Sequence, residues 1–196
     1  DQFYNKIIFT TDIKKASLSN LVVEAFKEDL DIKRKIFNKL DMITSDDTIL
    51  ATNTSSISIN EIAMATKKPE NVIGMHFMNP VPIMKLVEII KGDKTNNSIV
   101  KRTLGYVSSI GKIAVECNDS PGFVSNRILM PMINEAAYTY MEGVAEVDAI
   151  DQIMKLGMGH PMGPLKLADL IGIDVCVYII DVLFEGFKID KYKVCP

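Results

Sequence analysis

Up to Cys117 the sequence alternates short β-branched runs with stretches whose apolar residues recur at helical spacing, and beyond Asn118 only the helical spacing persists. That change of texture narrows the fold more than any other feature. Lys6 to Thr11, Leu21 to Phe26, Thr48 to Asn53, Val72 to Met78, Lys85 to Lys91 and Lys112 to Cys117 are predicted strands. Helices are expected between most of them. Behind Asp31 as a predicted N-cap, Ile32, Ile36, Phe37 and Leu40 share one helix face. Ser56 or Ser58 can cap a helix over 59–66, and a helix over 98–110 is ended by Gly111. Strand and helix in alternation predict an open, mostly parallel α/β sheet.

After Asn118, Ser120-Pro121-Gly122 offers a cap for a helix from Phe123 to Glu142, with Pro131 expected to kink it. A second helix, Asp148 to Leu156, is expected to close at Gly157. Pro164 to Phe187 reads as a helical pair broken near Gly172. The domain boundary is therefore placed after Asn118, giving a sheet domain over residues 1–118 and an all-helical domain over 119–196.

Composition excludes several classes. The 196 residues carry 22 Lys+Arg against 25 Asp+Glu, so an electrostatic nucleic-acid or anionic-membrane surface has little support. Cys117, Cys176 and Cys195 are far apart and odd in number, which fits a reducing compartment and neither a disulfide framework nor a metal site. The apolar run Val175 to Ile180 is too short to span a membrane. Asp1 stands without an initiator Met, which reads as a piece of something longer.

No glycine occurs before Gly74, so the sheet domain as written contains no glycine-rich phosphate turn. Gly157-Met-Gly159-His160-Pro-Met-Gly163 has the wrong spacing for one and reads as a helix-helix connection. Asn53-Thr54-Ser55-Ser56 follows an apolar strand, where open α/β sheets bind ligands and where Ser/Thr clusters also cap helices. His76 and Glu88 lie in two apolar strands joined by a short connection with two prolines. A carboxylate inside an apolar strand needs a partner, and His with Glu on its far nitrogen makes a general acid/base. Asn126 shares a helix stripe with Leu129, Met130 and Ile133, and suits either an inter-helix bond or a substrate contact.

Four segments, Ala51 to Ile59, Val72 to Glu88, Asp119 to Arg127 and Met154 to Pro164, together closely resemble the L-3-hydroxyacyl-CoA dehydrogenase family, in particular its short-chain 3-hydroxybutyryl-CoA members. The resemblance runs over almost the whole chain. It implies a Rossmann-like sheet domain, truncated here, and a helical dimerisation domain. It further implies an enzyme that uses NAD to oxidise the 3-hydroxyl of an acyl-CoA to a ketone, or the reverse. By position, His76 would be the general base, Glu88 would orient its imidazole, and Ser55 and Asn126 would hold the substrate oxygen. Glu28, Lys33, Ser55 and Asn79 match positions near the nicotinamide half of the cofactor. The same resemblance implies a homodimer, no nucleic acid or membrane partner, and a bacterial cytoplasmic location, or the mitochondrial matrix in a eukaryote.

The family's opening strand, its Gly-x-Gly-x-x-Gly turn and its final helices have no counterpart between Asp1 and Pro196, so the isolated chain is expected to be inactive. Two alternatives remain at this stage. One is a related hydroxy-acid dehydrogenase of the L-gulonate type; the other is a non-catalytic truncated dimerisation module.

Overall fold

A computed structural model describes residues 4–196. The chain divides into two compact units, one ending at Asp119 and one spanning Ser120–Pro196. In the first, β1 (Leu21–Glu24), β2 (Ile49–Thr52), β3 (Val72–Phe77), β4 (Leu86–Lys91) and β5 (Ile113–Asn118) form one five-stranded sheet in the order β1-β2-β3-β4-β5. All neighbours are parallel except β3 and β4. The mostly parallel α/β sheet expected from the alternation is thus present, with one antiparallel ladder inside it.

Burial explains why these runs became strands. Every residue of β2 is buried, as a sheet covered on both faces requires. On one face Ile49, Ala51, Ile73, Met75, Val87 and Ile89 pack with Ile99, Val100 and Val107 of α3 (Asn97–Ser109). Each of the Ile, Val and Met side chains among them contributes roughly 1.5–3 kcal/mol by leaving water. The other face meets the short helix α2 (Ile59–Ala63), whose Ile59 and Ile62 are fully buried.

Two local expectations are corrected. Lys6 to Thr11 is not a strand: Tyr4–Lys6 is a 3-10 turn, and Ile8 and Phe9 behind it are 82% and 88% exposed. The run has β-branched residues but is not paired with any strand of the sheet. The helix α1 (Leu30–Ile43) is capped by Asp29, whose extended backbone lets its carboxylate accept from Ile32 N at 3.0 Å. Asp31 instead sits in the first turn, where the helix dipole favours an acid.

The second unit consists of α4 (Ser125–Met141), α5 (Val147–Met158), α6 (Pro164–Ile171) and α7 (Ile173–Phe187), followed by a 3-10 turn at Asp190–Tyr192. Its core joins Met130 and Ile133 of α4, Ala168 of α6, and Cys176, Ile179, Ile180 and Leu183 of α7 with Tyr192. Here α4 starts later than the Ser120 cap predicts. Gly122 (φ 71°) and Phe123 (φ 50°) are both left-handed, so a right-handed helix cannot begin until they are passed. Likewise α5 runs through Gly157 and ends at the left-handed Gly159. The break at Gly172 falls where expected. No helix among the described residues is long and apolar enough to cross a membrane.

Candidate active site

The antiparallel ladder sets His76 of β3 directly opposite Glu88 of β4. Side chains of directly opposed residues share one face of the sheet, and His76 Nδ1 lies 2.8 Å from Glu88 Oε2. Both residues are buried, at 6% and 4% exposure. The turn from Asn79 to Lys85 that aligns the strands is braced twice. Ile83 N and Met84 N each donate to Pro80 O at 3.0 Å, and Lys112 Nζ donates to the carbonyls of Val81 and Met84 at 2.6 and 2.7 Å. The Asn79-Pro80 bond is cis.

A second polar cluster lies at the carboxyl ends of β1 and β2. Glu24, the buried last residue of β1, accepts from Lys33 Nζ with both oxygens (3.0 and 2.9 Å), from Thr52 Oγ1 (2.8 Å) and from Phe26 N (2.5 Å). Lys33 is itself 1% exposed, and its ammonium also lies 3.6 Å from Glu28 Oε2. The other oxygen of Glu28, Oε1, is wrapped by the loop after β2. It accepts from Thr54 Oγ1 at 2.5 Å, Ser55 N at 3.0 Å, Ser56 N at 3.0 Å and Ser56 Oγ at 2.9 Å. Asn53 fastens the same loop to its neighbours, its N–H donating to Glu24 O at 2.7 Å and its Oδ1 accepting from Phe77 N at 2.9 Å.

Nearby, burial pushes the thiol of Cys117 on β5 up to about 11, with the negative charges of Glu88 and Asp119 adding to the effect. It is held as a neutral thiol and is not a nucleophile at neutral pH. Asp119 Oδ2 accepts from Ser58 Oγ (2.7 Å) and Asn60 N (2.9 Å), tying the end of the sheet unit to the start of α2.

Of the residues singled out from sequence, His76 and Glu88 meet directly, while Glu28, Lys33 and Ser55 share the second cluster. Asn79 lies just beyond β3, two residues after the Phe77 that Asn53 engages. Asn126 belongs to the helical unit, buried in the first turn of α4. Sequence reasoning missed Glu24, and it took Thr54 only as part of the Asn53 to Ser56 cluster, with no partner for it. The signal for Glu24 was present in Leu21-Val-Val-Glu24, an apolar strand ending in a carboxylate, the same pattern that drew attention to Glu88.

Comparison with known proteins decides the family. Residues 1–120 match the family described as 3-hydroxyacyl-CoA dehydrogenase, NAD binding domain, and residues 122–196 match 3-hydroxyacyl-CoA dehydrogenase, C-terminal domain. The chain belongs to the 3-hydroxyacyl-CoA dehydrogenase family. Among members of this dehydrogenase family, a probable 3-hydroxybutyryl-CoA dehydrogenase of Bacillus subtilis is 52% identical over 98% of this chain and 67% of its own length. The 3-hydroxybutyryl-CoA dehydrogenase of Clostridioides difficile is also 52% identical, over 95% of this chain and 66% of its own. The crystal structure of (S)-3-hydroxybutyryl-CoA dehydrogenase from Ralstonia eutropha superposes with a TM-score of 0.92 at 43% identity, covering 94% of this chain and 65% of that one. The chain thus spans about two thirds of the length of these dehydrogenases.

The donor set suits one half of the family's NAD. Ser55 and Asn79 follow the carboxyl ends of β2 and β3, where a parallel sheet receives a nucleotide, and a hydroxyl and an amide are groups that can hydrogen-bond a nicotinamide riboside, whereas both oxygens of Glu28 are taken up by the loop and Lys33. The diphosphate is not matched within these residues. The first glycine is Gly74, inside β3, and Lys33 is already engaged by two carboxylates.

Proposed function

We propose that the chain serves, within the intact product of its gene, the NAD-linked interconversion of a short L-3-hydroxyacyl-CoA such as 3-hydroxybutyryl-CoA and its 3-ketoacyl-CoA. The observation that carries this reading is the buried His76–Glu88 pair at 2.8 Å. A carboxylate only accepts, so Glu88 fixes a proton on Nδ1 and leaves the imidazole lone pair on Nε2. Nε2 then takes the 3-hydroxyl proton in the oxidising direction and returns it in reduction. NAD, when bound, supplies the hydride acceptor for C3. The hydroxyl of Ser55 and the amide of Asn126 hydrogen-bond the reacting oxygen, which limits its motion relative to His76. Ser55 and Asn79 bear on the nicotinamide end of the cofactor, with Glu28 and Lys33 behind them.

Exposed apolar side chains on the helical unit, among them Leu156 at 83% and Leu170 at 70%, support a homodimer built through that unit. Relatives of bacterial origin support a cytoplasmic setting, and the mitochondrial relatives support the matrix should the source be a eukaryote.

The test is oxidation of NADH with acetoacetyl-CoA, followed by absorbance, for the intact gene product and its His76→Asn variant. General acid/base catalysis of this kind contributes about 10²–10⁴-fold, and the variant is expected to lose that much of kcat. A variant that keeps its rate within about threefold overturns the role of His76. No NADH oxidation by the unaltered protein overturns the substrate class. The 196 residues by themselves, with no glycine-rich phosphate turn before Gly74, are expected to bind NADH weakly and turn over little or nothing.

A further inference from the structure

The second cluster invites a different reading of Glu28 from that of a simple cofactor contact. One carboxylate oxygen receives four donors, all from the three consecutive residues Thr54, Ser55 and Ser56. Two of those donors are backbone N–H groups, so the carboxylate dictates the path of the chain and with it where the Ser55 side chain leaves the loop. Thr54 closes the loop on itself, its hydroxyl donating to Glu28 while accepting from Ile57 N at 2.9 Å. Thr54 is 0% exposed and Ser56 4%, which marks an interior scaffold and not a ligand-facing lip.

Glu28 is held in turn. Its other oxygen faces Lys33 at 3.6 Å, and Lys33 is pinned by both oxygens of Glu24. Glu24 also accepts from Thr52, the last residue of β2, so the network closes on the strand from which the loop springs. Asn53 extends it to β3 through Phe77 N, one residue from His76.

We propose that Glu24, Lys33, Glu28 and Thr54 form a positioning network that presents Ser55 to the reacting oxygen and registers its loop against the strand of His76. The inference deepens the functional reading above and rests on it for the role of Ser55. Charge-assisted bonds donated by backbone N–H groups to a carboxylate are strong and directional, and a loop held by them at the half-buried Glu28 reaches the reactive geometry before substrate arrives. Glu28→Gln leaves one neutral acceptor where a carboxylate took four donors, and turns an amide N–H₂ toward either Lys33 or the loop. Thr54→Val removes the hydroxyl with little change of shape.

Two measurements test this. Hydrogen exchange of the peptide covering Ser55 and Ser56 requires no turnover, so it stands whatever the substrate is. In Glu28→Gln and in Thr54→Val exchange of this segment is expected to accelerate by about tenfold or more while β3 and β4 stay protected, and Thr54→Ser is expected to restore the original rate. In the intact gene product the same variants are expected to lower kcat for acetoacetyl-CoA by about tenfold or more with KM for NADH within about twofold. Unchanged exchange in both variants overturns the network. Unchanged kcat with a KM for NADH raised about tenfold overturns the positioning role and makes Glu28 a cofactor contact. If Glu28→Gln fails to fold, Thr54→Val and the rescue by Thr54→Ser decide the question alone.

Discussion

Gly163 stands so close to Asp151 that a Cβ added to it would lie 2.2 Å from the Asp151 carboxylate carbon. The contact exists because Asp151, from α5, reaches over to cap α6, accepting from Leu165 N and Lys166 N at 2.9 Å each. At φ −69° the backbone of Gly163 is one that any residue adopts, so closeness and not conformational freedom demands glycine here. Gly163→Ala is expected to push the carboxylate off the helix end and lower stability by about 2–4 kcal/mol, the sum of overpacking and a lost cap. Asp151→Ala should cost only about 1–2 kcal/mol. Urea unfolding of the two variants gives the comparison, and equal losses would refute the steric part of the argument.

Glu88→Gln tests orientation apart from proton transfer. The shorter reach of charge is lost but not the length of the side chain: the glutamine amide still meets His76 Nδ1, yet it can turn either a donor or an acceptor toward the ring and so no longer dictates which nitrogen carries the proton. A fall in kcat of about 10²-fold is expected, with His76→Asn at least as low and the double variant no lower than His76→Asn, since the two residues act as a unit. Full additivity in the double variant would mean that Glu88 acts elsewhere.

Cys117 gives the chain a pH dependence of known sign. Its thiol titrates near 11 when folded and near 9 when unfolded. Between those values the unfolded chain has released the proton and the folded chain has kept it, so stability falls as pH rises through that window and is fully present below it. Cys117→Ser should flatten this part of the profile. Urea midpoints for both proteins, taken at intervals from about pH 8 to about pH 10.5, measure it, and parallel curves would rule out the thiol as the cause.

Gly74 of β3 is the last case. A Cβ there would sit 2.8 Å from Ile90 Cβ, an atom fixed to the backbone of the neighbouring strand, and 2.9 Å from the Cδ1 ends of both Ile59 and Ile90. The two Cδ1 ends can yield but Ile90 Cβ cannot, so Gly74→Ala is expected to destabilise by about 1–3 kcal/mol. Adding Ile90→Val, which removes the Cδ1 contact but leaves Cβ in place, should recover only part of it in the same denaturation assay.

How much of this was legible beforehand depends on the range of the interaction. Glu88 announced its need for a partner by lying inside an apolar strand, and the short turn left His76 as the candidate. The breaks at Gly111 and Gly172 follow from backbone preference alone, both residues taking a positive φ as glycine allows. What stayed hidden is non-local. Glu28 and Lys33 stand out only through the resemblance, because nothing local to residues 24–33 points to a loop some 26–28 residues further on. The Thr/Ser cluster read as either a cap or a site, and the structure divides it, with Ser58 capping α2 and Thr54, Ser55 and Ser56 enclosing a carboxylate. Lys6 to Thr11 has the composition of a strand, but strand formation depends on a neighbour, which composition does not encode. The late start of α4 turned on Phe123, a bulky residue in a left-handed conformation that no propensity favours.

The lone antiparallel ladder makes the turn between β3 and β4 a counting device. In this ladder a slip of one residue would carry Glu88 through the sheet to its far face, away from His76. A slip of two would keep the face but bring an apolar neighbour, Leu86 or Ile90, opposite the imidazole. Between Asn79 and Lys85 the number of residues is therefore constrained as well as their identity, and variants that insert or delete a residue there should retain a paired sheet while losing the pair of side chains it aligns.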